Sequence, residues 1–139
     1  MTIRVRDMQP EDRNFILATW LRCFRQSPFT KHIPNDIFFD MHQKVIERFW
    51  QRPTAKTKIA CLEDDENVIM GYLAYESPKP ETLHFCYVKE TLQGEGVARE
   101  LFKQSGIDLN EVHAFTHFTK DMETVSVKYR TLRYSPYFL

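Results

Sequence analysis

Apolar positions recur along this chain at two spacings, and the spacing assigns the element. Ile3 and Val5 alternate with Thr2, Arg4 and Arg6, the period of two expected of a strand with one buried face. From Gln9-Pro10-Glu11-Asp12 the period lengthens. An early proline and first-turn acids suit a helix start, and Phe15, Ile16, Trp20, Cys23 and Phe24 give that helix an apolar stripe. Ser27-Pro28 ends it. After a linker from Phe29 to Ile33, a second helix is predicted from Pro34-Asn35-Asp36, with Phe38, Met41, Val45, Phe49 and Trp50 on one side and Pro53 as its stop. Aromatic stripes at this spacing read as core.

Lys58 to Glu63 and Val68 to Glu76 read as two strands joined by a polar hairpin turn, Asp64-Asp65-Glu66-Asn67. Gly71 interrupts the second of them, as expected where a bulge or close packing is needed. Ser77-Pro78-Lys79-Pro80 is a connector. A fourth strand is predicted over Leu83 to Val88, and a third helix over Val97, Ala98, Leu101 and Phe102, capped by Gly106. Val112 to Phe118 reads as a fifth strand and Met122 to Leu132 as a short helix. Tyr134 to Leu139 leaves room for one short strand at most.

At 139 residues the chain fits one domain. Its 19 basic and 19 acidic side chains cancel, so no global field favours nucleic acid or a membrane. No apolar run approaches the ~20 residues of a membrane span, and the start lacks the apolar segment of a signal peptide. A cytoplasmic protein is the expectation. Cys23, Cys61 and Cys86 lie far apart and outside metal-ligand spacings, so they read as buried thiols rather than a disulfide or zinc framework.

Of only four glycines, Gly94 and Gly96 stand between the fourth strand and the third helix. The first amides of a helix lack partners inside it, and the aligned peptide dipoles leave roughly half a positive charge there. Such a turn is a natural seat for a phosphate, and glycine lets the backbone approach it. A P-loop would need Lys-Ser or Lys-Thr where Val97-Ala98 follows, and a dinucleotide fingerprint a small residue where Arg99 stands. The run Gln93-Gly94-Glu95-Gly96-Val97-Ala98 resembles the pyrophosphate loop of the GNAT superfamily of acetyl-CoA-dependent N-acyltransferases, whose signature is Gln or Arg, two residues, Gly, one residue, Gly or Ala. Val88, upstream of Gln93, falls where that family has valine at the end of its fourth strand. A plain strand-to-helix connection, with glycines that relieve strain, is the other reading.

The resemblance implies an α/β (α+β) fold over residues 1–139, a mixed, mostly antiparallel central sheet flanked by helices. The predicted order of elements agrees with it from the first residue. Family members continue with a helix and two more strands, so one or both C-terminal strands are expected to be lacking. The fifth strand's edge or the 134–139 tail is then expected to be covered by a second copy in a two-fold dimer.

By the same resemblance, Val88, Gln93, Gly94, Glu95, Gly96, Val97 and Ala98 bind acetyl-CoA as co-substrate, with the backbone amide of Val88 meeting the acetyl carbonyl. A tyrosine hydroxyl serves the leaving thiolate, and Tyr129, five residues before Tyr134, takes that place, although Arg133-Tyr134 replaces the family's Gly-Phe. The family's catalytic glutamate aligns with Thr82, which cannot act as a base. Strand alternation puts His84 and Cys86 on the face of Thr82, so His84 is the preferred general base, with Glu81 and Glu76 behind it; a hydrogen-bonded core histidine is the competing reading. Phe29 and His32 are candidates for the acceptor side. His113 and His117 share a strand face without a third ligand and make no metal site. The resulting expectation is transfer of an acetyl group from acetyl-CoA to a primary amine of a small molecule or protein. Two alternatives are a non-catalytic acyl-CoA-binding or assembly protein of the same fold, and an aminoacyl-tRNA-acetylating toxin. The last would ask for a basic surface, which a net charge of zero speaks against.

Overall fold

The structure, a computed structural model, describes residues 2–77 and 82–139. Glu81 and most of the proline-rich connector lie outside the described residues. Strand β1 (Ile3–Asp7) leads through a single 3-10 turn, Pro10–Asp12, into helix α1 (Arg13–Arg25) and then α2 (Asn35–Trp50). Strands β2 (Ala55–Leu62), β3 (Asp65–Glu76) and β4 (Thr82–Val88) follow, then α3 (Val97–Ser105), β5 (Ala114–Phe115), α4 (Lys120–Lys128) and β6 (Arg133–Tyr134). The strands form one sheet in sequence order, β1 to β6. The first three pairings are antiparallel, whereas β4–β5 and β5–β6 are parallel.

Alternation along the strands builds two cores. Ile59, Tyr72, Ala74 and Phe85 face α1 and α2, where they meet Ile16, Trp20, Phe24, Phe38, Ile46 and Phe49. Ala60, Leu73 and Leu83 face the other way, against Val97 and Leu101 of α3 and Met122 of α4. Arg6 closes the β1 end: its guanidinium grips Asp12 through two bonds of 2.7 and 3.0 Å, both side chains less than a tenth exposed. Among the described residues no helix is long and apolar enough to cross a membrane.

Two irregularities shape the centre of the sheet. Gly71 lies where an added Cβ would stand 2.4 Å from the carbonyl oxygen of Tyr87 and 3.3 Å from Cα of Val88, and the register with β2 slips immediately beside it, Ala60 pairing Gly71 and Cys61 pairing Ile69. Both reasons expected for that glycine apply. On the other side of β3, Ala74 pairs Phe85 but Tyr75 pairs Leu83, so His84 is the extra residue of a β-bulge. Simple alternation fails here. His84 joins Phe85 on the α1/α2 side, its ring 4.6 Å from that of Phe49, while Cys86 packs into the opposite core.

The C-terminal third departs most from the sequence pattern. Only Ala114 and Phe115 of the expected 112–118 strand form a ladder, pairing Thr82 and Leu83, and after one further bond from Thr116 N to Leu83 O the two chains separate at the bulge. The last helix stops at Lys128, and Tyr129 is extended (φ −119°, ψ 97°) rather than helical. The backbone must turn there so that Arg133 N reaches the carbonyl of His113 and Ser135 N that of Phe115. These bonds make β6, which covers the outer edge of β5 from within the same chain and removes the reason given above for a partner at that edge. Cys61 is buried, Cys23 and Cys86 are half-buried, and all three thiols are free.

Candidate active site

Beyond Val88 the chain makes a short 3-10 turn, Glu90–Leu92, and passes Gly94 and Gly96 in the left-handed region, at φ +86° and +85°. No atom lies within 4 Å of where a Cβ would stand on either glycine. The pair therefore exposes backbone to open space. Glu100 N is the first amide of α3 to bond back along the helix, to Gly96 O at 3.0 Å, which leaves the amides of Val97, Ala98 and Arg99 at the free end without a helical acceptor.

This turn forms one wall of a cleft of about 880 Å³. Gln93, Gly94, Glu95, Gly96, Val97, Ala98 and Val88, all marked by the sequence pattern, line it together with Cys86. The floor follows from the hydrogen-bond parity of β4. Lys89 N donates to Met70 O at 3.0 Å, so residues 85 and 87 bond toward β3 and the amides of Cys86 and Val88 point to the other edge. That is the edge from which β5 has separated. An extended group laid in the gap would find those amides as donors.

The opposite wall is α4, held at its start by the Thr119 hydroxyl, which accepts from Met122 N at 3.2 Å. Asp121, Thr124, Val125 and Lys128 face the cleft, a spacing of one helical face. Arg99 and Lys128 supply positive charge, Glu95 and Asp121 negative. Burial pushes the Cys86 thiol up to about 12 and also raises that of Cys23 on α1, and the Asp121 carboxylate adds to both shifts. Asp121 lies in the first turn of α4, and Lys128 two turns farther along it.

The proposed catalytic side chains are placed elsewhere. His84 is 1% exposed. Its Nε2 bonds Glu76 at 2.7 Å and its Nδ1 bonds the Thr116 hydroxyl at 2.8 Å, so neither ring nitrogen faces the cleft. Burial lowers the His84 pKa against the opposing pull of Glu76. Burial alone would raise the Glu76 carboxyl, but bonds from Thr54 and His84 bring it below its ordinary value. Tyr129 is half-buried against the second core, one residue past the cleft-lining Lys128 and not itself on the wall. Glu81 lies outside the described residues. Phe29 rests on Phe118 and Tyr134, each ring 5.2 Å away, and His32 is exposed.

Sequence reasoning missed the α4 face. Asp121 and Lys128 are far in sequence from the glycine turn and belong to no motif, and only the i, i+3, i+4, i+7 spacing within the last helix could have hinted at a shared surface. The bulge at His84 left no signal in the residue pattern.

No family model and no curated protein sequence matches the chain. Solved structures do resemble it. A ribosomal-protein-alanine N-acetyltransferase from Brucella melitensis is 14% identical, with 91% of this chain and 90% of that one covered and a TM-score of 0.58. A histone acetyltransferase and related acetyltransferase from Corynebacterium glutamicum is 17% identical, over 76% and 70% of the two chains, with a TM-score of 0.57. For a GCN5-related N-acetyltransferase from Rhodopseudomonas palustris the figures are 18%, 76%, 64% and 0.53. The chain spans under two thirds of the length of that protein and of a GNAT-family structure from Desulfovibrio desulfuricans, of which it covers 63%. Identities this low describe a shared fold.

Proposed function

We propose that this chain, which has the GNAT fold, transfers an acetyl group from acetyl-CoA to a primary amine of a small molecule or a protein. The observation that carries the reading is the cradle at Gly94 and Gly96, open where side chains would otherwise stand and continuous with the unpaired edge of β4 in one cleft. Acetyl-CoA supplies the activated thioester. The amides at the start of α3, with Gln93, suit its pyrophosphate, and Arg99 and Lys128 add charge of the right sign. The amides of Val88 and Cys86 are donors for the extended arm and for a carbonyl oxygen as it gains negative charge. Asp121 is the carboxylate on the cleft wall near Cys86 and takes the proton that the amine gives up. Tyr129 is the resemblance's donor for the departing thiolate, and Tyr129→Phe tests it: loss of ~100-fold in turnover at constant cofactor affinity assigns that role, and undiminished turnover removes it.

One observation favours a second reading, an acyl-CoA-binding protein without turnover: His84 is sealed in the core with both nitrogens engaged. One experiment separates the two. The protein is incubated with labelled acetyl-CoA and a panel of amines, peptides and charged tRNA, and its melting temperature is recorded with and without the ligand. Labelled amide product supports the transferase. Stabilisation by about 2.7 kcal/mol at 100 times the dissociation constant, with no acetyl transfer, supports the binding protein. An unchanged melting temperature at millimolar acetyl-CoA overturns both.

A further inference from the structure

Five side chains form one hydrogen-bonded file through the α1/α2 core. Glu76 Oε2 meets His84 Nε2 at 2.7 Å, His84 Nδ1 meets Thr116 Oγ1 at 2.8 Å, Thr116 Oγ1 meets His117 Nδ1 at 2.8 Å, and His117 Nε2 meets His42 Nε2 at 2.8 Å. The three central members are 0–1% exposed. At one end Glu76 is also held by Thr54 at 2.6 Å and by Arg52 at 2.8 Å. At the other, half-buried His42 stacks on Phe38, whose ring Arg25 also covers. The file joins α2, the segment after β5, β4 and β3. Its middle link, Thr116 to His84, crosses the place where the β4–β5 ladder ends, two residues before the cleft-lining Cys86.

Donor and acceptor counting fixes its direction. A neutral imidazole carries one donor and one acceptor, a hydroxyl one donor, an ionised carboxylate none. With Glu76 ionised, His84 donates to Glu76, Thr116 to His84, His117 to Thr116 and His42 to His117, and no group is left over. One proton added at the outer nitrogen of His42 is accommodated as well. Each link passes a proton inward, the charge comes to rest on His84 beside Glu76, the three bonds from His42 to His84 are kept in the reversed sense, and His84 still donates to Glu76. A second proton cannot enter at His42, because two ring N–H groups would then face each other at the His42–His117 link. Burial favours the uncharged file at neutral pH: it lowers His42 to about 4 and His117 well below its ordinary value. Burial, and to a lesser degree Arg52, pulls His84 down while Glu76 pulls it up, and the neighbouring rings further lower His117 while the His84 backbone opposes them.

We propose that this file is a latch that positions the cofactor cleft, with Thr116 as its central link, holding the segment after β5 at a fixed separation from β4 while it relays and stores a single proton. The effect on cofactor rests on the acetyl-CoA reading above; the file itself does not.

Imidazole nitrogen NMR on the full chain, without cofactor, tests the file. At neutral pH it should show His42 and His84 protonated at Nε2 and His117 at Nδ1. On acidification the uptake of one proton should switch the His42 and His117 tautomers together and charge His84. Three rings that titrate independently, or the opposite tautomers at neutral pH, overturn the proposal. Acetyl-CoA titration then tests the latch: Thr116→Val should weaken affinity about tenfold and Thr116→Ser should restore it, with folding followed by circular dichroism. A folded Thr116→Val protein of wild-type affinity overturns the latch, as does a Thr116→Ser protein no better than the valine variant. If the wild type shows the linked titration but binds no acetyl-CoA, the relay stands and both the cofactor role and the functional reading fall.

Discussion

Two glycines show how the same residue type does opposite work. Gly71 is crowded, with backbone of β4 inside the space a Cβ would take, whereas Gly96 has open space and a left-handed φ of +85°. Gly71→Ala should therefore cost about 1–3 kcal/mol of stability by overpacking and leave the cofactor loop as it is. Gly96→Val should cost about 1–2 kcal/mol from the backbone strain alone and, in addition, weaken acetyl-CoA binding by obstructing the phosphate cradle. Denaturant melts and calorimetric titration of both variants decide it; equal cofactor affinity in Gly96→Val and the wild type would falsify the cradle. Asp121 belongs to the same scale. If its carboxylate takes the amine's proton, Asp121→Asn should lower turnover by about 100-fold with acetyl-CoA affinity nearly unchanged, and a steady-state comparison in which turnover holds would remove Asp121 from the mechanism.

The element that completes the cleft is α4, a nine-residue helix too short to stand without its cap and its tertiary contacts. Thr119 is that cap, and Met122 is the buried residue that anchors the helix to the second core. Thr119→Ala should cost about 1 kcal/mol, seen as a lower urea midpoint. Because Asp121 and Lys128 ride on the same helix, cofactor affinity should fall as well. A variant with lower stability but unaltered affinity would show that the α4 wall is not needed for binding. The bulge in β4 acts at this scale too: it sets His84 beside Phe85 on the α1/α2 side and leaves Leu83 and Phe85, two residues apart, in opposite cores.

For the whole molecule, the three buried imidazoles predict how stability follows pH. Their folded pKa values are lowered, chiefly by burial, whereas in the unfolded chain they return to about 6.5. Below that value the unfolded state binds more protons, so stability falls as pH falls from about 6.5 toward about 4, the value to which burial lowers His42. The carboxyls of Asp12 and Glu76, lowered by their partners, work in the same direction but only below about 4.5. Urea midpoints should thus drop between about pH 6.5 and pH 5, before any carboxylate contributes. A flat profile over that range would mean that the imidazoles are not buried as the structure has them.

What the sequence determined by itself is whatever depends on neighbours along the chain. Helical spacing of Phe15, Ile16, Trp20 and Phe24 fixes α1, alternation fixes β1, strand-forming residues between turn signals fix the existence of β2 to β4, and two glycines between a strand and a helix fix an anion-ready turn, because dihedral preference and face periodicity are local properties. The turn at residues 93–98 and the strand end at Val88, which line one cleft, were legible for that reason, and the family resemblance supplied the role proposed for them. Tertiary structure alone decided the rest. The short β5, the extended backbone at Tyr129 and the pairing of β6 come from bonds between residues tens of positions apart. The face of His84 depends on a register slip against β3, and period-two alternation carries no trace of such a slip. Asp121 and Lys128 reach the cleft, and His42 reaches His117, only because the sheet brings α4 beside β4 and α2 beside the segment after β5. No spacing along the chain encodes those distances.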